Sequence, residues 1–288
     1  MKMTTDIMPV LERIASALER LAPATASLDG LDSADAFIWQ PQRGRLSPVR
    51  TVSHVALKLL QGVDSQKQLL LNNTAHFAAG LPANNAMLWG SRGTGKSSLV
   101  KACHAEINAT LPPDQHLILI EIEREDLGTL PDLMDLLRTS SRRFIVFCDD
   151  LSFEREDADY KALKSVLDGG IAGRPENVLF YATSNRRHLM PRDMIENEKA
   201  TAINPSEATE EKVSLSDRFG LWLGFHVCPQ DVYFDMVRAY AKERRLAISD
   251  EDLCARANEW AVTRGNRSGR VAAQFMDDLT ASLKSGSQ

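Results

Sequence analysis

A glycine-rich stretch near residue 90 contains the residue types that bind phosphate. Its spacing is G-x-x-x-x-G-K-S/T, the pattern of a phosphate-binding loop or P-loop, and its residues are Gly90, Ser91, Arg92, Gly93, Thr94, Gly95, Lys96 and Ser97. The next residue, Ser98, is also expected to contact the nucleotide. The glycines let successive backbone N–H groups turn toward one anion, and the helix expected after the loop adds the positive end of its dipole. Lys96 is predicted to reach the β- and γ-phosphates of a nucleotide, and the Ser97 hydroxyl to ligate Mg²⁺.

Two carboxylates follow an apolar run further along the chain. Residues 144–148 read FIVFC, and Asp149 and Asp150 come directly after them. A parallel strand would deliver both acids to the sheet edge where the P-loop also lies. Asp149 is then the natural Mg²⁺ partner, directly or through water, and Asp150 is placed to polarise an attacking water as a general base. The alternative is a solvated acidic turn.

Three further polar residues stand at positions where they could act on the same nucleotide. Asn185 follows the apolar run 178–183, where its amide could hold a water against the γ-phosphate or simply form a turn. Arg218 precedes the last apolar run, and its guanidinium could neutralise charge on the γ-phosphate of a neighbouring subunit or be a surface charge. Arg270, near Arg267, opens a helical stretch and could reach the phosphates of its own subunit or be a solvated helix terminus.

Short apolar runs alternating with helical stretches predict the parallel sheet that must position these residues. The five runs comprise residues 86–89, 117–122, 144–148, 178–183 and 221–227. One run separates the P-loop run from the Asp-Asp run. That order suits the branch of P-loop ATPases in which an extra strand lies between the two motif strands.

The flanking segments have other patterns. Apolar residues at helical spacing predict a first amphipathic helix, namely Val10, Leu11, Ile14, Leu18 and Leu21. A loop-like stretch follows, and a second helical region spans 53–79 with an interruption at Gly62. The polar stretch 196–216 is interpreted as a mobile loop, and the chain beyond Pro229 as helical with Ser249 as an N-cap. These patterns divide the chain into an N-terminal helical segment and loop, a nucleotide-binding core and a helical lid domain, at residues 1–52, 53–228 and 229–288.

Composition excludes several classes of protein. Lys and Arg total 34 against 39 Asp and Glu, a formal charge of -5, which gives no global attraction to nucleic acid. The four cysteines match neither a disulfide framework nor a metal motif, so a reducing compartment is expected. No secretory leader and no apolar run of about 20 residues is present, so we expect a cytoplasmic protein without a membrane span.

The motifs in their order resemble those of the AAA+ ATPases over residues 53–283. The matching segments are LLQGVDSQKQLLLNN, the P-loop, FIVFCDD, YATSN, SDRFG and GNRSGR. The resemblance implies a three-layer α/β core with a five-stranded parallel sheet, a helical lid, and ATP and Mg²⁺ as cofactors. It further implies that Asn185 is the sensor-1 residue, Arg218 the arginine finger and Arg270 the sensor-2 arginine, with Gly62 and Val63 near the adenine. Longer phrases such as FCDDLSFE and ATSNRRHLMPRD resemble one bacterial AAA+ family known as a domain of unknown function.

The function implied is ATP hydrolysis with Mg²⁺, coupled to remodelling or loading of a macromolecular partner by a homo-oligomer. One departure bears on this prediction. Many AAA+ proteins place Glu after the Mg²⁺ aspartate, whereas this chain has Asp150, which indicates slow, switch-like turnover. The alternative is therefore an ATP-dependent binding or assembly switch with little intrinsic hydrolysis.

Other functions have less support from the sequence. A small-molecule kinase would leave Arg218 unexplained, and a GTPase would need an Asn-Lys-x-Asp string that is absent. The client is not specified and could be protein or nucleic acid. The basic cluster Arg186, Arg187 and Arg192 could contact DNA phosphates, although we favour a subunit interface. We expect the segment before residue 53 to determine partner choice; the alternative is that its helix simply packs on the core.

Overall fold

A seven-stranded sheet forms the centre of the computed structural model, which describes residues 8–14, 27–153, 158–169, 173–187, 189 and 218–285. The strands are β1 (Ala36–Gln40), β2 (Arg45–Pro48), β3 (Ala86–Gly90), β4 (Ile118–Glu121), β5 (Phe144–Cys148), β6 (Val178–Ser184) and β7 (Leu221–Phe225). Their order across the sheet is β2-β1-β4-β5-β6-β3-β7. Strands β3 to β7 are the five predicted ones, and every pair among them is parallel.

Helices cover both faces of this sheet and complete the predicted three layers. Helices α1 (Asp64–Ala78) and α2 (Lys96–Asn108) pack on one face, and α3 (Leu130–Arg138) and α4 (Ala158–Asp168) on the other. Strand residues alternate between the two cores because successive side chains point to opposite faces. In β5, Phe144 and Val146 join the α3–α4 side and Ile145 and Phe147 the α1–α2 side.

Three helices after the sheet form a separate hydrophobic core, as the helical pattern predicts. They are α5 (Gln230–Glu243), α6 (Asp250–Thr263) and α7 (Gly269–Ser285). Buried side chains from all three pack together, among them Tyr233, Ala257 and Phe275. The predicted N-cap at Ser249 is confirmed, since its hydroxyl accepts a hydrogen bond from the Asp252 N–H at 3.1 Å.

The structure corrects the sequence analysis in the N-terminal part. The prediction of a loop before residue 53 is wrong for residues 36–48, which form the hairpin of β1 and β2. β1 pairs in parallel with β4 and β2 pairs antiparallel with β1, so the sheet has seven strands rather than five. Trp39 anchors this hairpin, because its side chain is 3% exposed and its indole N–H donates to Thr129 Oγ1 at 2.9 Å.

Other expectations are confirmed only in part. In the second helical region, residues before Gly62 form only the short 3-10 turn Leu57–Leu59, and α1 begins after the interruption. Residues 8–14 are helical, whereas the rest of the predicted first helix, the polar stretch 196–216 and Arg192 lie outside the described residues. In the described part of the chain, no helix has the length and apolar character needed to cross a membrane.

Candidate functional site

A cavity of about 610 Å³ opens at the carboxyl edge of the sheet, between the core and the C-terminal helices. Its floor is the P-loop, which joins the end of β3 to the start of α2. The predicted site residues that line it are Val63, Arg92, Gly93, Thr94, Gly95, Lys96, Ser97, Ser98, Asp149, Asp150, Asn185 and Arg270. Sequence positions more than 200 residues apart are thus brought to one site.

Lys96 is held by the loop that precedes it. Its side chain is 6% exposed, and its ammonium donates to the backbone oxygens of Gly90 at 2.7 Å and Ser91 at 2.8 Å. It also donates to Asn185 Oδ1 at 3.2 Å. Burial lowers the pKa of Lys96, while the nearby Asp149 carboxylate opposes that shift. Gly90 and Ser91 do not line the cavity themselves, but their carbonyls fix the lysine that does.

The Asp149 carboxylate lies opposite the first turn of α2. Its Oδ1 accepts a hydrogen bond from Ser97 Oγ at 2.6 Å, a second from the Asp150 N–H at 3.2 Å, and a short one from the Thr183 hydroxyl. Alternation along β5 explains the position, since Asp149 follows Phe147 by two residues and points to the same α1–α2 side. The structure therefore brings into contact the two side chains that were each predicted to ligate Mg²⁺.

Asp150 adopts an uncommon backbone conformation for a residue with a side chain. Its φ is 53°, in the left-handed region, where Asp and Asn are the best tolerated non-glycine residues. Its carboxylate Oδ1 accepts a hydrogen bond from Asn185 Nδ2 at 2.5 Å. The two polar residues predicted at neighbouring strand ends are thus in direct contact, with Lys96 on the other side of the Asn185 amide.

The segment before α1 forms one wall of the cavity beside the P-loop. Val55, Leu59, Leu60, Gln61 and Val63 come from the segment before α1. This mainly apolar surface suits a planar base, which is the role predicted for Gly62 and Val63. Gly62 does not line the cavity, but it brings this segment against α5, because an added Cβ would lie 2.4 Å from Val232 Cγ1.

The C-terminal helices contribute the remaining wall. Met236 and Tyr240 reach the cavity from α5, and Gly269, Arg270 and Ala273 from the start of α7. The contact with the P-loop is close, since an added Cβ on Gly93 would lie 2.9 Å from Ser268 Oγ. Two helix amino termini, those of α2 and α7, therefore meet at the cavity together with three cationic side chains, which favours an anionic ligand.

Arg218 is the predicted catalytic residue that the structure does not bring to this cavity. It precedes β7, whose first residue Leu221 pairs with Ala86 at the start of β3, whereas the P-loop lies at the other end of β3. The two ends of that strand are about 13 Å apart. The Arg218 guanidinium pairs with the Asp168 carboxylate at the end of α4. A role at a nucleotide would therefore require another copy of the chain.

Sequence reasoning missed several residues that line the cavity. Thr183 lies on β6 two positions before Asn185, which follows the strand directly, so a period of two could have identified it. Met236 and Tyr240 are four residues apart and share a helix face, but no local pattern indicates that this face meets the P-loop. Their contribution depends on how α5 packs on the core.

The strand order and this site together define the class of protein. β6 lies between the P-loop strand β3 and the carboxylate strand β5, and a helical domain closes the cavity from the other side. This is the architecture of the AAA+ class of P-loop nucleotide-binding proteins. The chain belongs to the family described as "Protein of unknown function (DUF815)", whose model matches residues 32–283. The predicted resemblance to a family of unassigned function is thereby confirmed.

Similar solved structures include several of RuvB from Thermotoga maritima. One single-residue variant of that protein is 16% identical, with a TM-score of 0.47 over 78% of this chain and 72% of that one. A second single-residue variant is 14% identical, with a TM-score of 0.47 over 78% and 73%. A structure described as the RuvB Holliday junction branch migration motor is 15% identical, with a TM-score of 0.43 over 78% and 72%. No curated protein matches the sequence.

Proposed function

We propose that this protein hydrolyses ATP with Mg²⁺ and couples the nucleotide cycle to remodelling or loading of a macromolecular client, protein or nucleic acid. The observation that carries the proposal is the convergence on one cavity of Lys96, the Ser97–Asp149 pair, the Asp150–Asn185 pair and Arg270. A triphosphate needs cationic and N–H donors, and hydrolysis needs a carboxylate beside them that can act as a base on the attacking water. This cavity offers both.

The donor set also fits Mg²⁺. Ser97 and Asp149 present hydroxyl and carboxylate oxygens, which this hard cation prefers. The described residues contain no group of three or more His, Cys, Asp and Glu side chains that could hold a metal. Phosphate oxygens and waters would complete the coordination of a Mg²⁺ ion bound by Ser97 and Asp149. Bound there, Mg²⁺ would supply charge neutralisation on the phosphate chain.

The chain's own residues divide the remaining tasks. Lys96 and Arg270 would bind the phosphates, since both are cationic and line the cavity. Asp150 would accept the proton of the attacking water, and the Asn185 amide orients its carboxylate through the 2.5 Å contact. The C-terminal helices share the cavity with the core, so a change in the phosphate chain could shift them and produce the mechanical step.

Arg218 would act on the nucleotide of a neighbouring subunit in a ring or an ATP-dependent assembly. Its distance from this chain's own P-loop supports a role in trans. Its ion pair with Asp168 on α4 holds the guanidinium away from the P-loop end of the sheet. The binding or assembly switch remains the second candidate. The observation that favours it is Asp150, because its carboxylate is one methylene shorter than glutamate and is already engaged by Asn185.

The test for active sites shared between subunits uses two variants. One is defective in the P-loop, and the other in the arginine that would act on the neighbouring subunit's nucleotide. Lys96→Ala should weaken ATP binding about 10- to 100-fold, since charged hydrogen bonds contribute roughly 1.5–3 kcal/mol. Arg218→Ala should bind ATP normally but hydrolyse it slowly. A mixture of the two should regain activity, because an intact P-loop then meets an intact arginine at some interfaces. Mg²⁺-dependent phosphate release is measured against protein concentration.

The outcomes of the mixing experiment separate the two candidates. Turnover per chain that rises with concentration, with recovery in the mixture, supports the ATPase with sites between subunits. Tight ATP binding with negligible turnover at every concentration, and no recovery on mixing, supports the switch. A wild-type protein that binds no ATP at all would contradict both.

The basic cluster is expected to serve contacts between proteins rather than DNA binding. Arg186 and Arg187 are exposed, but the Arg187 guanidinium already lies 5.3 Å from the Trp89 ring centroid, as a cation–π contact within the chain. We expect no duplex DNA binding by fluorescence anisotropy, even at about 50 mM salt, where phosphate contacts are strong. Binding that weakens steeply by about 200 mM salt, and that is lost in Arg186→Ala, would instead identify DNA as a partner.

A further inference from the structure

Thr183 is a buried hydroxyl residue placed between the two acids of the site. It lies near the end of β6, a strand whose seven residues are all buried, and its side chain is 1% exposed. The Thr183 hydroxyl contacts Asp149 Oδ1 by a short hydrogen bond, and the Asp150 N–H at 3.0 Å. Its backbone oxygen accepts the Leu151 N–H at 2.6 Å. One residue of β6 thus holds three consecutive residues after β5.

The directions of these hydrogen bonds are fixed by their chemistry. An amide N–H can only donate, so the Thr183 oxygen accepts from Asp150, and its single proton is free to point at the Asp149 carboxylate. The Ser97 hydroxyl likewise donates its proton to Asp149 Oδ1, which leaves its lone pairs available for a cation. Thr183 therefore orients the carboxylate without using an atom that a cation would need.

The support that Thr183 provides differs from that of Ser97. Ser97 lies in the first turn of α2 and is itself a predicted cation ligand, so it would contact the cation as well as Asp149. Thr183 pairs with Leu88 inside the sheet, and its position is set by β3 and β5 on either side. With Oδ1 of Asp149 engaged by three donors, its other oxygen, Oδ2, is the one best placed for a metal-bound water.

We propose that Thr183 is a positioning residue for Asp149, whose hydroxyl sets the carboxylate orientation that Mg²⁺–nucleotide binding requires. The inference rests on the proposed function. In this proposal β6 contributes to Mg²⁺ affinity through the contact of Thr183 with Asp149. That contribution is separate from the contacts that Asn185 makes with Asp150 and Lys96. Groups that hold a metal-binding side chain in place typically account for 10- to 100-fold in metal affinity.

The experiment measures how binding of ADP depends on Mg²⁺ by titration calorimetry. Thr183→Val keeps the β-branched shape and removes the hydroxyl. In Thr183→Val, the Mg²⁺ concentration that gives half of the maximal Mg²⁺-dependent change in ADP affinity should rise about 10-fold. The ADP affinity measured in excess EDTA should equal that of the wild type. Thr183→Ser should restore the wild-type response. Thr183→Ala also lacks the hydroxyl and should show the same shift in the Mg²⁺ response. It replaces Thr183→Val in the test if the valine variant does not fold.

Thr74→Val is the matched control. Thr74 is also a fully buried threonine on the α1–α2 side of the sheet. Its hydroxyl forms hydrogen bonds with the Leu70 backbone oxygen and the Tyr181 hydroxyl rather than with the two aspartates of the site. It should leave the Mg²⁺ response unchanged. A Thr183→Val protein with the wild-type Mg²⁺ response, or a Thr183→Ser protein as impaired as Thr183→Val, overturns this inference alone. A wild type that binds no ADP overturns the proposed function, and this inference with it.

Discussion

Replacement of Gly90 by alanine is expected to destabilise the folded protein by about 3 kcal/mol or more. Gly90 ends β3 with a φ of 133°, which other residues rarely adopt, and an added Cβ would lie 1.9 Å from the backbone oxygen of Phe225. That oxygen belongs to the last residue of β7, so no flexible side chain can move aside. The free energy of unfolding, measured in urea, should fall and ATP binding should be lost with it.

Gly265→Ala is the matched control for the Gly90 variant. Gly265 has a positive φ of 68°, but no atom lies within 4 Å of its added Cβ. This substitution should lower the free energy of unfolding only by the strain of a positive φ, roughly 1–2 kcal/mol. Equal losses of stability in the two variants would contradict the argument that close approach of β7 makes glycine necessary at residue 90.

Asp150→Asn is expected to lower ATP turnover at least about 100-fold while leaving ATP affinity close to that of the wild type. The substitution removes the basic carboxylate but keeps the atom that accepts from Asn185. Asn also tolerates the left-handed φ of 53° at this position, so the turn after β5 should persist. Steady-state phosphate release and equilibrium binding of an ATP analogue measure the two quantities separately.

A remote acid provides the comparison for Asp150. Asp114→Asn changes the same functional group on the exposed 3-10 turn Pro113–Gln115 and should leave turnover unaltered. Turnover in Asp150→Asn equal to that of the wild type would refute the role of Asp150 as the base. Loss of ATP binding in Asp150→Asn would also contradict the proposal, since it would show that the carboxylate holds the nucleotide instead.

The parts of the fold that local sequence encodes could be predicted. β5 matches its apolar run residue for residue, and the P-loop spacing places Lys96 at the start of α2 as expected. The ends of β3 and β5 meet at one sheet edge because parallel strands share direction, so Ser97 and Asp149 could be assigned to one Mg²⁺ site in advance. These inferences need only a few residues and the geometry of a parallel sheet.

The remainder depends on contacts that no local pattern contains. β1 reads AFIWQ, a short apolar run with β-forming residues that the turn formers on both sides obscured, and its place in the sheet depends on pairing with β4, about 80 residues away. The cavity wall from α5 is set by how Tyr233 and its neighbours pack the helical domain. Arg218 was predicted from its motif, but its separation from its own P-loop follows only from the register of β3 and β7.

The shared cavity wall has a thermodynamic consequence. Met236, Tyr240 and Arg270 belong to the C-terminal helices, yet they line the same space as Lys96 and Asp149. Nucleotide affinity and the orientation of these helices are therefore linked quantities. A client that binds the helical domain and turns it must change the affinity for nucleotide by some factor. The nucleotide must then change the affinity for that client by the same factor, whichever of the two binds first.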